Sequence, residues 1–149
     1  MDKKPLRLLY VDDDPDDRFF FESATQIIDS GLSVATHNNG ALALEHLHES
    51  DFAYDLLFLD LNMPVKSGLD VLDELQQVIK DRHLKIVIFT TSGNPANIEA
   101  TYKLNAVLYV QKPGSFDELV NIIRNIVNMH NQLTLPVPFE QFKFSAKYA

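Results

Sequence analysis

Residues Tyr54 to Gly68 read YDLLFLDLNMPVKSG. The unbroken apolar run Leu56-Leu57-Phe58-Leu59 suits a strand buried on both faces of a parallel sheet. It ends on a carboxylate, Asp60, and loop residues follow at once: Asn62, Pro64, Ser67 and Gly68. In open α/β sheets, chemistry collects just outside the carboxyl ends of the strands. A lone acid there must be solvated, paired or metal-bound. Two other strand ends carry comparable groups, Asp12-Asp13-Asp14 and Lys112-Pro113.

Working outward, Leu6–Val11 predicts a first strand, stopped by Asp12-Asp13-Asp14-Pro15. Asp14 is a natural helix N-cap and Pro15 suits the first helical position. The helix that follows offers Phe20, Ala24, Ile27 and Ile28 at helical spacing and ends at Gly31. Ser33–Thr36 predicts a weaker, edge-like strand. After the turn signal Asn38-Asn39-Gly40, a helix runs from about Ala41 to Glu49 with Leu44 and Leu47 on one face. Beyond Gly68, Leu69, Leu72, Leu75, Val78 and Ile79 mark a third helix. Lys85–Thr91 is strongly β-forming, Asn94-Pro95 opens a short fourth helix, and Ala106–Val110 is a fifth strand. Ser115 and Glu118 have capping-box spacing, and Leu119, Ile122, Ile123 and Ile126 form the core face of a fifth helix. Five alternating strand–helix units imply an α/β fold, a doubly wound parallel five-stranded sheet with helices on both faces. Strands one, three and four are the most apolar and so central, which gives the order 2-1-3-4-5.

The chain has 149 residues, enough for one domain with a sizeable core. Its net charge of -8 argues against non-specific nucleic-acid binding. Without cysteine there is no disulfide or thiol chemistry. No apolar stretch approaches the roughly 20 residues of a membrane span, and the N-terminal apolar run is too short for a signal peptide. A cytoplasmic protein is expected, with no membrane and no nucleic-acid partner.

In that architecture Asp12, Asp13, Asp60, Thr90 and Lys112 open onto one face. Each has a plain reading alone: Asp12–Asp14 as a solvated helix cap, Lys112 as a surface charge, Thr90 as a strand residue by propensity. Together they say more. Crowded carboxylates need a cation or a proton, and an oxygen-only donor set suits a hard ion. Mg2+ favours one or two carboxylates with waters and phosphate oxygens. A lysine and a hydroxyl at the rim suit a phosphoryl group. Asp is an established nucleophile for phosphoryl transfer. The set describes Mg2+-assisted phosphorylation of an Asp, with Asp60, at the end of the central strand, as nucleophile and Asp14 left to capping.

Over about Leu6 to Met129 the chain resembles the receiver domain of two-component response regulators, through LLYVDDDPDDR, YDLLFLDLNMPVKSGLDVL, IVIFTTS and AVLYVQKP. The resemblance implies a flavodoxin-like (βα)5 fold. It implies Asp60 as phosphoacceptor, and Asp12, Asp13, Asp60 and the backbone carbonyl of Asn62 around Mg2+, with Mn2+ as a possible substitute. Asp13 would be the more direct ligand of the acidic pair. It further implies Thr90 as switch hydroxyl, Lys112 as phosphate-binding lysine, Tyr109 as switch aromatic and a cis Lys112-Pro113 peptide. The donor would be the phosphohistidine of a sensor histidine kinase or a phosphotransfer protein. A partner-binding face would be switched around the fourth helix, fifth strand and fifth helix, and a downstream protein target would read it. The protein would catalyse only its own phosphorylation and dephosphorylation. Asn62 and Ser92, each two residues beyond a site residue, are expected to tune the lifetime of the phosphorylated state.

The receiver is expected over 1–131, with 132–149 a C-terminal aromatic arm and no separate output domain. In the arm, Leu133, Leu135, Val137 and Phe139 alternate with Thr134, Pro136 and Pro138, which reads as extended, while the prolines forbid a central strand position. It either packs on its own domain or docks on a second copy, as a homodimer, or on a partner. Three other readings are weaker. A Mg2+-dependent phosphatase would need a second Asp after Asp60, where DLN stands. A nucleotide-binding protein would need a phosphate-cradling glycine loop, and the five glycines form none. A phosphate-independent pseudo-receiver acting as an interaction module is the alternative, against which the intact acidic pair, Asp60, Thr90 and Lys112 all speak.

Overall fold

The computed structural model describes residues 6–29, 31–49 and 54–144. Six parallel strands form one sheet in the order β2-β1-β3-β4-β5-β6. They are β1 (Arg7–Val11), β2 (Ser33–His37), β3 (Leu56–Leu59), β4 (Lys85–Thr90), β5 (Leu108–Gln111) and β6 (Lys143–Phe144). The first five stand in the expected order. The sixth comes from the C-terminal arm and runs parallel to β5, with Tyr109 opposite Lys143 and Val110 opposite Phe144. The four residues of β3 are wholly buried, as a strand covered by helices on both faces must be.

The helices are α1 (Pro15–Ile28), α2 (Gly40–Leu47), α3 (Gly68–Glu74), α4 (Gln76–Arg82), α5 (Pro95–Lys103), α6 (Phe116–Met129) and α7 (Phe139–Phe142), with a 3-10 turn at His130–Gln132. Helix α1 packs against α6, α2 against α3, and α3 against α5. Their starts are chemically encoded. The Asp14 carboxylate accepts from the amides of Asp16 and Asp17, Asn94 from Ala96, and Ser115 from Glu118. Ser67 and Asp70 close a full capping box at the head of α3.

Two helices depart from expectation. The core face of α1 is Phe21, Ala24 and Thr25, while Phe20 and Ile27 are exposed. Among three consecutive phenylalanines, Phe21 is chosen because its ring stacks on Tyr10 at 4.4 Å and meets Phe58 at 4.9 Å. The expected third helix is two, interrupted at Leu75. There the Gln76 side chain donates to Leu72 O at 2.9 Å and to Leu104 O at 2.7 Å, engaging the carbonyl that the Gln76 amide would take in a continuous helix.

The arm packs on its own domain. Leu133, Val137 and Phe142 are buried, and the segment bends through α7 rather than running extended. Lys112–Pro113, expected to be cis, is trans; among the described residues the cis peptide is Leu135–Pro136. An X-Pro bond prefers trans by only about 0.5–1 kcal/mol, so surroundings beyond the dipeptide choose the isomer.

At the end of β2, His37 Nε2 meets His46 Nδ1 of α2 at 2.9 Å, and burial, then the neighbouring His46, holds His37 below the usual histidine range. The unfolded chain therefore takes up this proton first, and stability is lost as pH falls below the ordinary histidine range. His37→Gln is expected to lose less stability than wild type between neutral pH and about pH 5, measured by urea unfolding. Parallel pH curves for the two proteins would contradict this.

Candidate functional site

Strands β1, β3, β4 and β5 end side by side. Asp12, immediately after β1, is fully buried, and one oxygen each of Asp12, Asp13 and Asp60 lies within 4.8 Å of the others. Asp12 is thoroughly held: its carboxylate accepts from the Tyr10 hydroxyl, the Asp14 amide at 3.0 Å and Lys112 Nζ at 2.7 Å. Asp13 is exposed, so it faces outward from the same cluster. Asp60 is 5 % exposed and takes a hydrogen bond from the Asn62 amide at 3.3 Å.

Lys112 reaches back across this floor. Its Nζ is 2.7 Å from Asp12, 2.8 Å from Asp17 and 3.6 Å from Asp60. The backbone aims it: the Lys112 amide donates to Thr90 O at 2.7 Å, locking the end of β5 to the end of β4. Thr90 is fully buried, and its hydroxyl accepts from the Asn62 side-chain amide at 3.3 Å. Tyr109 is buried, and its hydroxyl donates to Ser92 O at 2.7 Å. The Ser92 hydroxyl turns the other way and accepts from Asn94 and Asn97 in the first turn of α5. Every residue named from the sequence thus lies at or beside the strand ends, with Asn62 bonded to Asp60 and the Ser92 side chain bonded to the start of α5 instead.

Sequence reasoning missed Tyr10, Asp17 and Arg18. Tyr10 stands two residues before Asp12, and period-2 geometry puts both on one side of the chain. Asp17 lies in the first turn of a helix that starts at a site loop, so it overhangs the site. Arg18 Nη1 donates to Asp12 O at 2.7 Å.

A model of the response regulator receiver domain matches residues 8–124. This chain belongs to that family. Among the relatives of this receiver, response regulator Rcp1 of Synechocystis is 30 % identical over 138 residues, covering 89 % of this chain and 94 % of that protein. The DNA-binding transcriptional regulator NtrC of Escherichia coli is 31 % identical over 128 residues, 85 % of this chain but 26 % of that protein. A probable cyclic di-GMP phosphodiesterase of Vibrio cholerae is 29 % identical over 131 residues, 88 % of this chain and 28 % of that protein. The chain therefore spans about a quarter of the length of those two relatives and nearly all of Rcp1. Among solved structures, the phosphorylated cyanobacterial phytochrome response regulator RcpA superposes with a TM-score of 0.78 at 26 % identity, covering 89 % of this chain and 99 % of that one. The Mn(2+)-bound form of response regulator Rcp1 does so with a TM-score of 0.71 at 27 % identity, over 90 % of this chain and 99 % of that one. The flavodoxin-like receiver fold is thereby established.

The electrostatics of the receiver's site follow from its geometry. Burial pushes the Asp60 carboxyl above the usual carboxylate range; Lys112 pulls it back and Asp12 pushes it further up. Burial alone would lower the Lys112 ammonium, but hydrogen bonds to Asp12 and Asp17 reverse this and hold it above an ordinary lysine. The three carboxylates offer oxygen only and carry more negative charge than one lysine neutralises. That donor set fits a divalent hard cation. No helix among the described residues is long and apolar enough to cross a membrane.

Beside the site, a cleft of about 280 Å³ runs between α1 and the β5–α6 loop. It is lined by Asp17, Phe20, Lys112, Pro113, Gly114 and Phe116, among others. The cleft thus joins apolar rings to the charged pair Asp17 and Lys112.

Proposed function

We propose that this receiver accepts a phosphoryl group on Asp60 from the phosphohistidine of a histidine kinase or phosphotransfer protein, and that this changes partner binding across α5, β5 and α6. The observation that carries the reading is the convergence of Asp60 with Asp12, Asp13 and Lys112 at adjoining strand ends. Asp12, Asp13, Asp60 and the Asn62 carbonyl would hold Mg2+, or Mn2+ in its place. When bound, the cation supplies charge neutralisation for the incoming phosphoryl oxygens.

The chain's own groups do the rest. An Asp60 carboxylate oxygen attacks phosphorus in line, the bond to the histidine nitrogen breaks, and imidazole leaves with the electron pair. Lys112, already 3.6 Å from Asp60, moves onto the new phosphoryl oxygens as its hold on Asp12 loosens. The Thr90 hydroxyl, bonded by Asn62, turns toward the phosphoryl group and donates to it. Thr90 and Ser92 are separated by one residue of chain. A shift at Thr90 therefore moves the Ser92 carbonyl that the Tyr109 hydroxyl holds, and carries the change into β5 and α5. The turnover is confined to the protein's own phosphorylation and dephosphorylation.

The test is intact mass after incubation with Mg2+ and acetyl phosphate. A gain of one phosphoryl group that EDTA abolishes supports the reading. No gain in a folded protein, from acetyl phosphate or from a phosphorylated kinase, favours the phosphate-independent interaction module.

Asn62 places a side-chain amide beside Thr90 and Asp60, where it can orient an attacking water. Asn62→Ala is expected to slow loss of the phosphoryl group about fivefold, the equivalent of one hydrogen bond. Ser92→Ala should act less, since its hydroxyl is committed to the start of α5. Decay of the phosphorylated mass after donor removal measures both, and an unchanged rate in Asn62→Ala would refute the assignment.

A further inference from the structure

The residues after α6 have no task at Asp60, yet they occupy the surface through which a change at Thr90 would leave the site. Phe142 is fully buried, its ring 5.1 Å from that of Tyr102 on α5 and 6.3 Å from that of Tyr109 on β5. The Tyr102 hydroxyl donates to Val137 O at 2.5 Å, and the same ring meets that of Phe139 edge-on at 5.0 Å. Lys143 and Phe144 then pair along β5. Without them β5 would be an open sheet edge, a row of backbone donors and acceptors ready to receive another strand. A cleft of about 270 Å³ behind this junction is lined by Gly93, Ile98, Tyr109, Lys112, Lys143 and Phe144 among others, so arm and phosphate-binding lysine share one cavity wall. The hydroxyl of the same Tyr109 is fastened to Ser92.

We propose that the β5 edge, with Tyr102 and Tyr109, is a binding surface for a short strand-forming segment preceded by an anchoring aromatic side chain. The arm occupies it in cis, and phosphorylation opens it to a protein partner carrying a segment of the same chemistry. The last clause rests on the proposed function of Asp60. Backbone pairing with β5 supplies affinity and the aromatic pocket supplies selectivity, as where peptides add a strand to a sheet. Tethering gives the arm a high effective concentration, so a partner binds poorly until the arm's grip loosens. Linkage makes the coupling mutual: whatever phosphorylation does to arm seating, arm seating does to phosphorylation.

The probe is a fluorescein-labelled peptide of residues 133–144, LTLPVPFEQFKF, titrated into the full chain and read by anisotropy. Phe142→Ala, which empties the pocket in cis, is expected to bind it at least about tenfold more tightly than wild type does. Binding should be lost when the peptide's own residue corresponding to Phe142 is alanine. Where Phe142→Ala does not fold, Phe142→Leu weakens the arm's anchor without altering the receiving surface and should raise peptide affinity about fivefold. Wild type incubated with Mg2+ and acetyl phosphate should also bind more tightly, with intact mass taken on the same sample. No peptide binding by a folded variant overturns the surface. Phosphoryl mass without a gain in binding overturns the coupling. Absence of the mass gain with acetyl phosphate and with a phosphorylated kinase overturns the reading of Asp60, while tight binding by Phe142→Ala still upholds the surface.

Discussion

Asp60→Asn is expected to gain no phosphoryl mass under conditions where the wild-type chain gains one group, and to be the more stable protein in metal-free buffer near neutral pH. The first effect follows from the proposed role of Asp60, whose carboxylate stands at the end of β3 within 3.6 Å of Lys112. The second follows from the site's electrostatics. Burial holds the Asp60 carboxyl above its ordinary range, and Lys112 only partly offsets this. A raised carboxyl means that the folded state binds the proton more readily than the unfolded chain does. The charge therefore opposes folding at neutral pH, and as pH falls through the raised value the wild-type residue becomes neutral and the penalty disappears. Asparagine carries no charge at any pH. Its advantage should be largest near neutral pH and shrink toward about pH 4. Urea unfolding in EDTA at two pH values measures this, beside intact mass with Mg2+ and acetyl phosphate. A variant less stable than wild type near neutral pH would mean that attraction to Lys112 outweighs burial.

Gly68→Ala should be nearly as damaging through purely steric means. A Cβ there would stand 2.3 Å from the Asp60 carbonyl oxygen and 2.7 Å from Leu61 Cα. Both are backbone atoms, and the Gly68 amide is itself bonded to Leu61 O at 3.1 Å. Helix α3 thus begins directly against the end of β3, and no flexible side chain can move aside. Overpacking of this kind costs on the order of 3 kcal/mol. The displaced backbone is that of Asp60 and Leu61, so the folded fraction should also phosphorylate more slowly. Denaturant unfolding reads the first effect and the initial rate of mass gain the second. A variant as stable and as fast as wild type would show that the loop can rearrange.

Much of this was legible before any coordinates. Leu56–Leu59 and Ile86–Thr90 are apolar or β-branched without interruption, so strand type, burial and centrality follow together. The cap-then-proline pairs Asp14-Pro15 and Asn94-Pro95 start helices by local chemistry that tertiary packing does not disturb. The donor set at the strand ends was readable because parallel topology places every carboxyl end on one face. Where local signals tied, the reading failed. Phe19, Phe20 and Phe21 are equally apolar, and only contact with Tyr10 and Phe58 selects Phe21. The apolar spacing from Leu69 to Ile79 is continuous, yet Gln76 breaks the helix through a bond to Leu104, 28 residues away. The Lys112–Pro113 bond is trans against expectation, because the intrinsic preference of an X-Pro bond is smaller than one tertiary contact.

By itself, then, the sequence determined the five βα units, their caps, the oxygen-only donor set and the membership of Asp60, Thr90 and Lys112 in one rim. Each of these rests on interactions between near neighbours in the chain or on the period of burial. Only the tertiary structure decided that Lys112 is held between Asp12 and Asp17, 100 and 95 residues away, and that Tyr10 bonds Asp12. It alone also turned an alternating, proline-bearing tail into a sixth strand anchored by Phe142. Those outcomes depend on which surfaces remain unpaired once the sheet has formed: a buried carboxylate that needs a cation, an open β5 edge, and a gap between Tyr102 and Tyr109 wide enough for one ring.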